Sequence, residues 1–321
     1  MTESIVHLLC LAQEGYNRGS VKSHRPDRSL DAAVENQIMT VMNSRLPQAA
    51  LSLIDQCRSA QERGLKASRQ QHKLDACRWF GLARVLCDSP ELSLEGRLLC
   101  QSFQEAAEAY LDYRLGDFEK ARTRLHRALT SDSILEQEFG HKLLHVHRLH
   151  LTNNLIRLEV RLRGLAGAME LAGRLLSYMH GRSETLPVPG SWSSQYVALL
   201  PPELIDAMIV QTSSEVASAL SGLKIEAAHD ALEILWCHAD IESAAELGQP
   251  QARTWFLAKR AFVSGDSSTF LHMCTSLLAE GPSIAPILWH MTALDLAGLC
   301  ESIALPEAQT LRSKILQKCD D

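Results

Sequence analysis

The chain has 321 residues and a formal net charge of −6, with 46% apolar and 22% charged residues. This composition is typical of a folded soluble protein, and it excludes the disordered, fibrous and strongly basic classes. Aromatic residues make up only 5%, whereas Ala, Leu, Glu, Gln and Arg are abundant. Because unbranched side chains lose little freedom in a helix, the composition predicts an all-α fold.

The N-terminal run from Ile5 to Ala12 is apolar, but Glu3 precedes it and the run is too short to span a bilayer. It predicts a first amphipathic helix, and no later segment predicts a membrane span. Nine cysteines occur without a CxxC pair. This pattern favours reduced, buried thiols in a cytoplasmic protein, with a structural disulfide as the less favoured alternative.

Apolar residues recur at spacings of three and four along most of the chain, and Gly, Pro, Asp or Ser residues separate the segments. The pattern predicts a succession of helices. The predicted spans are 3–15, 30–44, 47–63, 67–88, 91–114, 117–130, 133–163, 165–180, 201–221, 224–238, 240–247, 250–263, 267–280, 284–300 and 304–318.

The segment 181–202 interrupts this pattern with four prolines, two glycines and several serines. Such a cluster of helix-breaking residues predicts an irregular connection. The sequence therefore predicts an N-terminal helical array over 1–180, a connector over 181–202 and a C-terminal helical array over 203–321.

The stretch YLDYRLGDFEKARTRLHRAL, residues 110–129, has the features of a tight helical hairpin. Gly116 permits the backbone reversal and Asp117 can cap the next helix. Ala121, Leu125 and Ala128 then share one face, on which the small alanines let a neighbouring helix approach closely.

These residues resemble the tetratricopeptide repeat family, whose repeats of about 34 residues pair two antiparallel helices. Weaker echoes follow Pro47 and surround Gly265, so that the resemblance covers about a third of the chain. It implies antiparallel helical hairpins stacked as a tetratricopeptide-like solenoid that binds a protein or peptide; another helical bundle is the alternative. Glu105, Glu108 and Asp112 depart from the family, which usually has apolar or small residues at those places.

Two Glu-x-x-His elements, Glu138 with His141 and Glu226 with His229, are similar to those of ferritin-like di-iron proteins. They support an alternative function as a metal-dependent helical oxidase or oxygenase. Since two such pairs also arise by chance among 13 histidines, we favour solvated or helix-packing histidines. Without a phosphate-binding loop, a nucleophile elbow or an HExxH motif, the sequence predicts no catalytic residue, no cofactor and no enzyme activity.

Charge is distributed unevenly along the chain. Residues 114–182 contain 12 Lys or Arg and 7 Asp or Glu, whereas residues 183–321 contain 7 and 17. The basic part can form a surface for an acidic peptide, a phosphate group or nucleic acid, or its arginines can pair with Glu119, Glu138 and Glu159 on neighbouring turns. The second interpretation is favoured. The candidate contact residues are Arg122, Arg157, Arg161, Trp192 and Tyr196, of which the two aromatics are expected to cover the core rather than anchor a partner.

Taken together, these patterns predict a cytoplasmic, non-enzymatic scaffold, adaptor or regulatory module whose partner is a protein or peptide. Neither a membrane nor nucleic acid is favoured as a partner, because the net charge is negative and basic residues do not interleave with aromatics. A sensor that binds a small molecule around residues 181–202 is a third alternative.

Overall fold

The protein is described by a computed structural model over residues 2–18, 40–240, 247–283 and 285–302. Regular secondary structure in these ranges is entirely helical, which confirms the predicted all-α class. The predicted helices 30–44, 240–247 and 304–318 lie largely outside the described residues. The helices are α1 (Thr2–Arg18), α2 (Gln48–Arg69), α3 (Lys73–Cys87), α4 (Leu94–Arg114), α5 (Phe118–Phe139), α6 (Leu144–Leu162), α7 (Gly164–Met179), α8 (Ser194–Ala198), α9 (Pro202–Leu220), α10 (Ile225–Ala239), α11 (Pro250–Val263), α12 (Ser267–Glu280) and α13 (Pro286–Ser302).

The helices form two compact units that are each discontinuous in sequence. The first unit combines α1 with the end of α7, most of α9 and helices α10 to α13. The second unit contains α2 to α6, the first part of α7 and the segment Gly181–Met208. The sequence predicts three consecutive regions instead, and the segment predicted as a connector packs within the second unit. No helix in the described ranges has the length and apolarity needed to cross a bilayer.

In the second unit, two helical hairpins lie side by side. Helix α2 packs against α3, and α4 packs against α5, each pair joined by a three-residue connection. Helix α2 also packs against α4. A Cβ atom built on Gly96 would lie 3.4 Å from Ile54, and Gln61 hydrogen-bonds the Cys100 carbonyl oxygen at 2.9 Å. Since these contacts advance in the same direction along both helices, α2 and α4 run parallel.

The turn between α4 and α5 has the chemistry that its sequence predicts. Gly116 adopts a φ of 81°, and the Asp117 side chain accepts a hydrogen bond from the Lys120 backbone N–H at 3.4 Å. The same arrangement recurs in the first unit between α11 and α12. There Gly265 has a φ of 76°, and Asp266 accepts from the Thr269 backbone N–H at 3.1 Å. In both places the left-handed glycine reverses the chain and the aspartate satisfies an N–H that the helix leaves unpaired.

Close helix approach in the second unit depends on a glycine of α2. A Cβ atom added to Gly64 would lie 2.4 Å from the Phe80 ring, so that only glycine lets α2 and α3 pack at their observed distance. Phe80 is itself almost fully buried.

The first unit is built around another hairpin, α11 with α12, against which α13 packs. Helix α1 completes it by packing on α12 and α13 through one apolar face. This face consists of Ile5, Leu8, Leu9 and Ala12, all of which belong to the core that contains Trp289. The N-terminal amphipathic helix is therefore confirmed as a core element.

One predicted helix boundary is wrong. The sequence predicts separate helices over 117–130 and 133–163, whereas α5 continues to Phe139 and α6 begins at Leu144. Asp132 does not break α5, because the Ser102 hydroxyl donates to its carboxylate at 2.5 Å and His147 bonds it at 2.8 Å. The break comes instead at Gly140, whose φ is 72°.

Candidate functional site

The second unit contains a polar groove with a cavity volume of about 630 Å³. Helix α4 forms its floor, and helices α3 and α5 form its walls. The residues that line this α3–α5 groove are Arg84, Cys87 and Asp88 of α3 and its C-cap, Gln101, Gln104, Glu105 and Glu108 of α4, and Thr123, Arg124, His126, Arg127, Thr130 and Ser131 of α5.

Glu108 occupies the centre of the groove floor. Nε and Nη2 of Arg84 donate to its two carboxylate oxygens, both at 2.6 Å. Gln104 donates a further hydrogen bond at 2.5 Å, and Nη2 of Arg124 lies 2.5 Å from the same carboxylate. A bidentate arginine pair of this kind fixes both partners in orientation as well as in distance.

Arg124 extends the network along α4. Its guanidinium contacts Glu105 and Asp112, each at 2.7 Å, and Lys120 adds an ion pair to Asp112 at 3.0 Å. Burial alone would lower the pKa of Arg124, but the hydrogen bonds and charges of these carboxylates raise it above its usual value. The three acidic residues that depart from the tetratricopeptide pattern are thus the three partners of one arginine.

Two arginines of the groove are more exposed than the carboxylates they contact. The side chain of Glu108 is 5% exposed and that of Glu105 is 21% exposed, whereas those of Arg84 and Arg127 are 55% and 65% exposed. Arg127 contacts Glu105 at a long distance of 3.6 Å. Above Glu108 and Glu105 the groove therefore presents these two guanidinium groups to solvent, while Arg124 is 14% exposed and Asp88, at the end of α3, is an exposed carboxylate.

A separate buried cluster holds the irregular segment against α6. Arg148, fully buried, donates to Glu136 at 2.5 Å and to the Ser191 carbonyl oxygen at 2.7 Å. Its guanidinium also stacks over the Trp192 ring at 3.9 Å. His145 lies beside this cluster, where burial lowers its pKa despite a hydrogen bond to Glu136.

The five residues predicted to contact a partner lie outside the α3–α5 groove. Arg122 pairs with Glu119 at 2.6 Å, which confirms one of the predicted arginine–glutamate pairings, and Arg157 and Arg161 are exposed on α6. Arg163 likewise pairs with Glu159. Trp192 and Tyr196 pack against the His145 ring at centroid distances of 5.5 and 5.4 Å. The arginines that line the groove are Arg84, Arg124 and Arg127. The sequence did not indicate them as partner contacts, because the groove forms only when α3, α4 and α5 pack together.

The two Glu-x-x-His elements of the alternative di-iron interpretation belong to different units. His141 is buried and hydrogen-bonded to Glu95 at 2.6 Å, whereas Glu138 is exposed. Glu226 and His229 are exposed in the first unit.

Three cysteines form the single group in the described ranges whose ligand atoms would suit a metal ion. Cys57 of α2, Cys87 of α3 and Cys100 of α4 place their sulfur atoms within 4.8 Å of one another. All three are buried, and Cys57 and Cys87 lie 3.3 Å apart. This cysteine cluster could not be predicted from the sequence, because its members come from three helices and have no local spacing motif.

Hydrogen bonding shifts the pKa values of two thiols of the cluster, Cys57 and Cys87, in opposite directions. Bonds from the Cys100 and Cys87 thiols lower the pKa of Cys57 to about 4. At Cys87 a bond from Cys100 acts to lower the pKa, but the bond to Cys57 and burial raise it to about 12. As a thiol, Cys57 donates to the Ala83 carbonyl oxygen at 3.6 Å; as a thiolate, it accepts from Gln61 at 3.2 Å.

Comparison with protein-family models, with curated proteins and with solved structures finds no match. The resemblance to tetratricopeptide repeats therefore stays a prediction. What the groove and the cysteine cluster can do follows from their own geometry.

Proposed function

We propose that the chain is a non-enzymatic helical-repeat module that binds an acidic segment of a partner protein in the α3–α5 groove. The observation that carries the proposal is the exposure of two guanidinium groups above a buried carboxylate. Arg84 and Arg127 are more than half exposed, whereas Glu108 beneath them is 5% exposed. A carboxylate of a partner meets these guanidinium groups first.

The packing of the hairpins supports a tetratricopeptide-like arrangement of this module. Helices α2 and α4 run parallel as the first members of two successive antiparallel hairpins, and α3 packs against α4 between them. Repeats stacked in this way bury a shared core and leave a groove whose lining side chains can vary without loss of the fold. The eight cysteines of the described ranges are free thiols, which supports a reducing, cytoplasmic location.

The ion pair between Arg84 and Glu108 prepares the groove for binding. Glu108 holds Arg84 by two hydrogen bonds of 2.6 Å, so that this long side chain is already ordered before a partner arrives. A side chain ordered in advance loses less conformational entropy on binding. The carboxylates below also keep the groove close to neutral, which favours recognition of spaced acidic side chains over a general attraction for polyanions.

Binding of a fluorescein-labelled Glu- and Asp-rich peptide, followed by anisotropy, tests the proposal. We expect Arg84→Ala/Arg127→Ala to weaken the affinity by about tenfold or more, which corresponds to about 1.4 kcal/mol. The matched control is Arg78→Ala, since Arg78 lies on α3 with its side chain 80% exposed but does not line the groove. Added salt should weaken binding to the unmodified chain.

Two results would contradict the proposal. One is an affinity that is the same for the unmodified chain and for Arg84→Ala/Arg127→Ala. The other is equal binding of a Lys-rich peptide of the same length, since the exposed guanidinium groups should repel it.

A further inference from the structure

We propose that Cys57, Cys87 and Cys100 coordinate one thiophilic d¹⁰ metal ion, Zn²⁺ or Cu⁺, through their three sulfur atoms. The three side chains converge from α2, α3 and α4, and their sulfur atoms lie within 4.8 Å of one another. This inference goes beyond the proposed binding function and does not depend on it.

The distances suit coordination with little movement. Zinc–sulfur bonds are about 2.3 Å long, so that three sulfur atoms around one ion lie about 4 Å apart. The closest observed pair, Cys57 and Cys87, is at 3.3 Å, and no pair exceeds 4.8 Å. Side-chain rotations that move each sulfur atom by less than about 1 Å therefore suffice for coordination, and the helix backbones need not shift.

The surroundings of the cluster resemble those of a ligand set more than those of ordinary core thiols. Gln61, itself buried, donates to the Cys57 sulfur at 3.2 Å and to the Cys100 carbonyl oxygen at 2.9 Å. A polar partner of this kind orients a metal-binding thiolate and offsets its charge. Cys87 also lines the α3–α5 groove, which gives an ion a short path to the cluster.

Two other cysteines show the contrast. Cys274 and Cys300 of the first unit are equally buried in an apolar core. Burial raises the pKa of both thiols, that of Cys300 to about 11, so that both stay protonated at neutral pH. They belong to no three-ligand group in the described part of the chain.

Metal binding requires only proton release. Three sulfur–metal bonds form, each thiol that still carries a proton loses it to solvent, and no electron is transferred. Soft thiolate ligands select Cu⁺ and Zn²⁺ over Mg²⁺ or Ca²⁺. Three ligands complete the shell of Cu⁺, whereas Zn²⁺ adds a fourth, such as water from the groove.

The test uses the full chain after reduction and removal of metal with a chelator. This protein is titrated with Zn²⁺ and, separately, with Cu⁺, and in each titration a chromophoric chelator competes for the metal. We expect one ion per chain for at least one metal, and the preferred metal identifies the coordination number. Cys57→Ser, Cys87→Ser and Cys100→Ser should each weaken binding by more than about 100-fold, since loss of a residue that merely hydrogen-bonds a metal ligand costs about 10–100-fold. The matched control, Cys274→Ser, should bind as the unmodified chain does.

A second measurement covers the case in which these variants do not fold. The unmodified chain is alkylated slowly with iodoacetamide, with and without the metal, and each cysteine is followed by mass spectrometry. Bound metal should slow alkylation of Cys57, Cys87 and Cys100, and leave the exposed Cys77 unchanged.

The inference is overturned if neither metal binds with a stoichiometry of one, or if the metal protects other cysteines instead. It also fails if Cys57→Ser binds as tightly as the unmodified chain. Arg84→Ala/Arg127→Ala separates this inference from the proposed function, because that variant should lose peptide affinity and keep the metal.

Discussion

Replacement of Arg124 by methionine tests whether one guanidinium, 14% exposed, holds the groove together. Arg124→Met keeps most of the side-chain length and removes the charge. The substitution removes a guanidinium group that lies within 2.7 Å of Glu105, Glu108 and Asp112. Glu108 keeps its pair with Arg84, and Asp112 keeps Lys120, so that the loss is only partly offset.

The expected size of the effect follows from the geometry. A charge pair at 4 Å contributes about 4 kcal/mol at an effective dielectric constant of about 20, and desolvation of the charges opposes this. Removal of one partner from a buried pair typically costs about 3–5 kcal/mol, because the other charge stays buried. We expect a loss in this range, which is a large fraction of the about 5–15 kcal/mol that stabilises a typical domain.

Urea unfolding followed by far-ultraviolet circular dichroism measures the change in the free energy of unfolding. The control is Arg78→Met on α3, which removes an exposed pair with Asp75 and should cost less than about 1 kcal/mol. The double variant Arg124→Met/Glu108→Gln should recover part of the loss, with a coupling of about 1–3 kcal/mol. A loss below about 1 kcal/mol for Arg124→Met, or strictly additive losses in the double variant, would refute the reasoning.

Three further predictions use thermal or urea unfolding. Gly64→Ala should destabilise the chain by about 1–3 kcal/mol, because the new Cβ atom would lie 2.4 Å from an atom of the Phe80 ring. Gly81→Ala should instead stabilise it by about 0.5–1 kcal/mol, because no atom lies within 4 Å of that Cβ position. Equal effects of the two substitutions would refute the close approach of α2 and α3. Gly116→Ala should lower the free energy of unfolding by about 1–2 kcal/mol, because residue 116 has a φ of 81°. Gln71→Gly should raise it by up to about 1 kcal/mol, because residue 71 has a φ of 62°. The opposite sign for either variant would contradict the turn geometry. Burial lowers the pKa of His145 below its usual 6.5, so that the unfolded chain takes up a proton first as the pH falls. Stability should therefore decrease below about pH 6.5 by up to about 1.4 kcal/mol per pH unit, and the decrease should be smaller in His145→Asn; an unchanged slope in that variant would exclude His145 as the cause.

Local sequence signals predicted the helices and their turns well. Gly116 with Asp117, and Gly265 with Asp266, form the turns that their residue types favour, because a left-handed backbone and an N-terminal cap are properties of adjacent residues. Near Asp132 the sequence predicted a helix break, whereas α5 is continuous there. Its tendency to break a helix is overcome by hydrogen bonds from Ser102 and His147, which lie far from it in sequence.

These local signals could not predict contacts between residues that are far apart in the sequence. Glu108 appeared as a departure from the repeat pattern, and only the packing of α3 and α5 on α4 supplies its arginine partners. The cysteine cluster likewise depends on the meeting of three helices, which no spacing of Cys57, Cys87 and Cys100 along the chain reveals. The sequence indicates arginines as the notable charge of this region, but helix packing determines which of them line the groove.

The place of α1 in the first unit has a consequence for synthesis on the ribosome. A Cβ atom on Gly15 would touch the Trp289 ring, so that α1 waits for a partner that emerges roughly 270 residues later. At about 5–20 residues per second, translation of that interval takes about 15–50 s. During this time the apolar face of α1 has no native partner from α13, and packing on that helix then covers it.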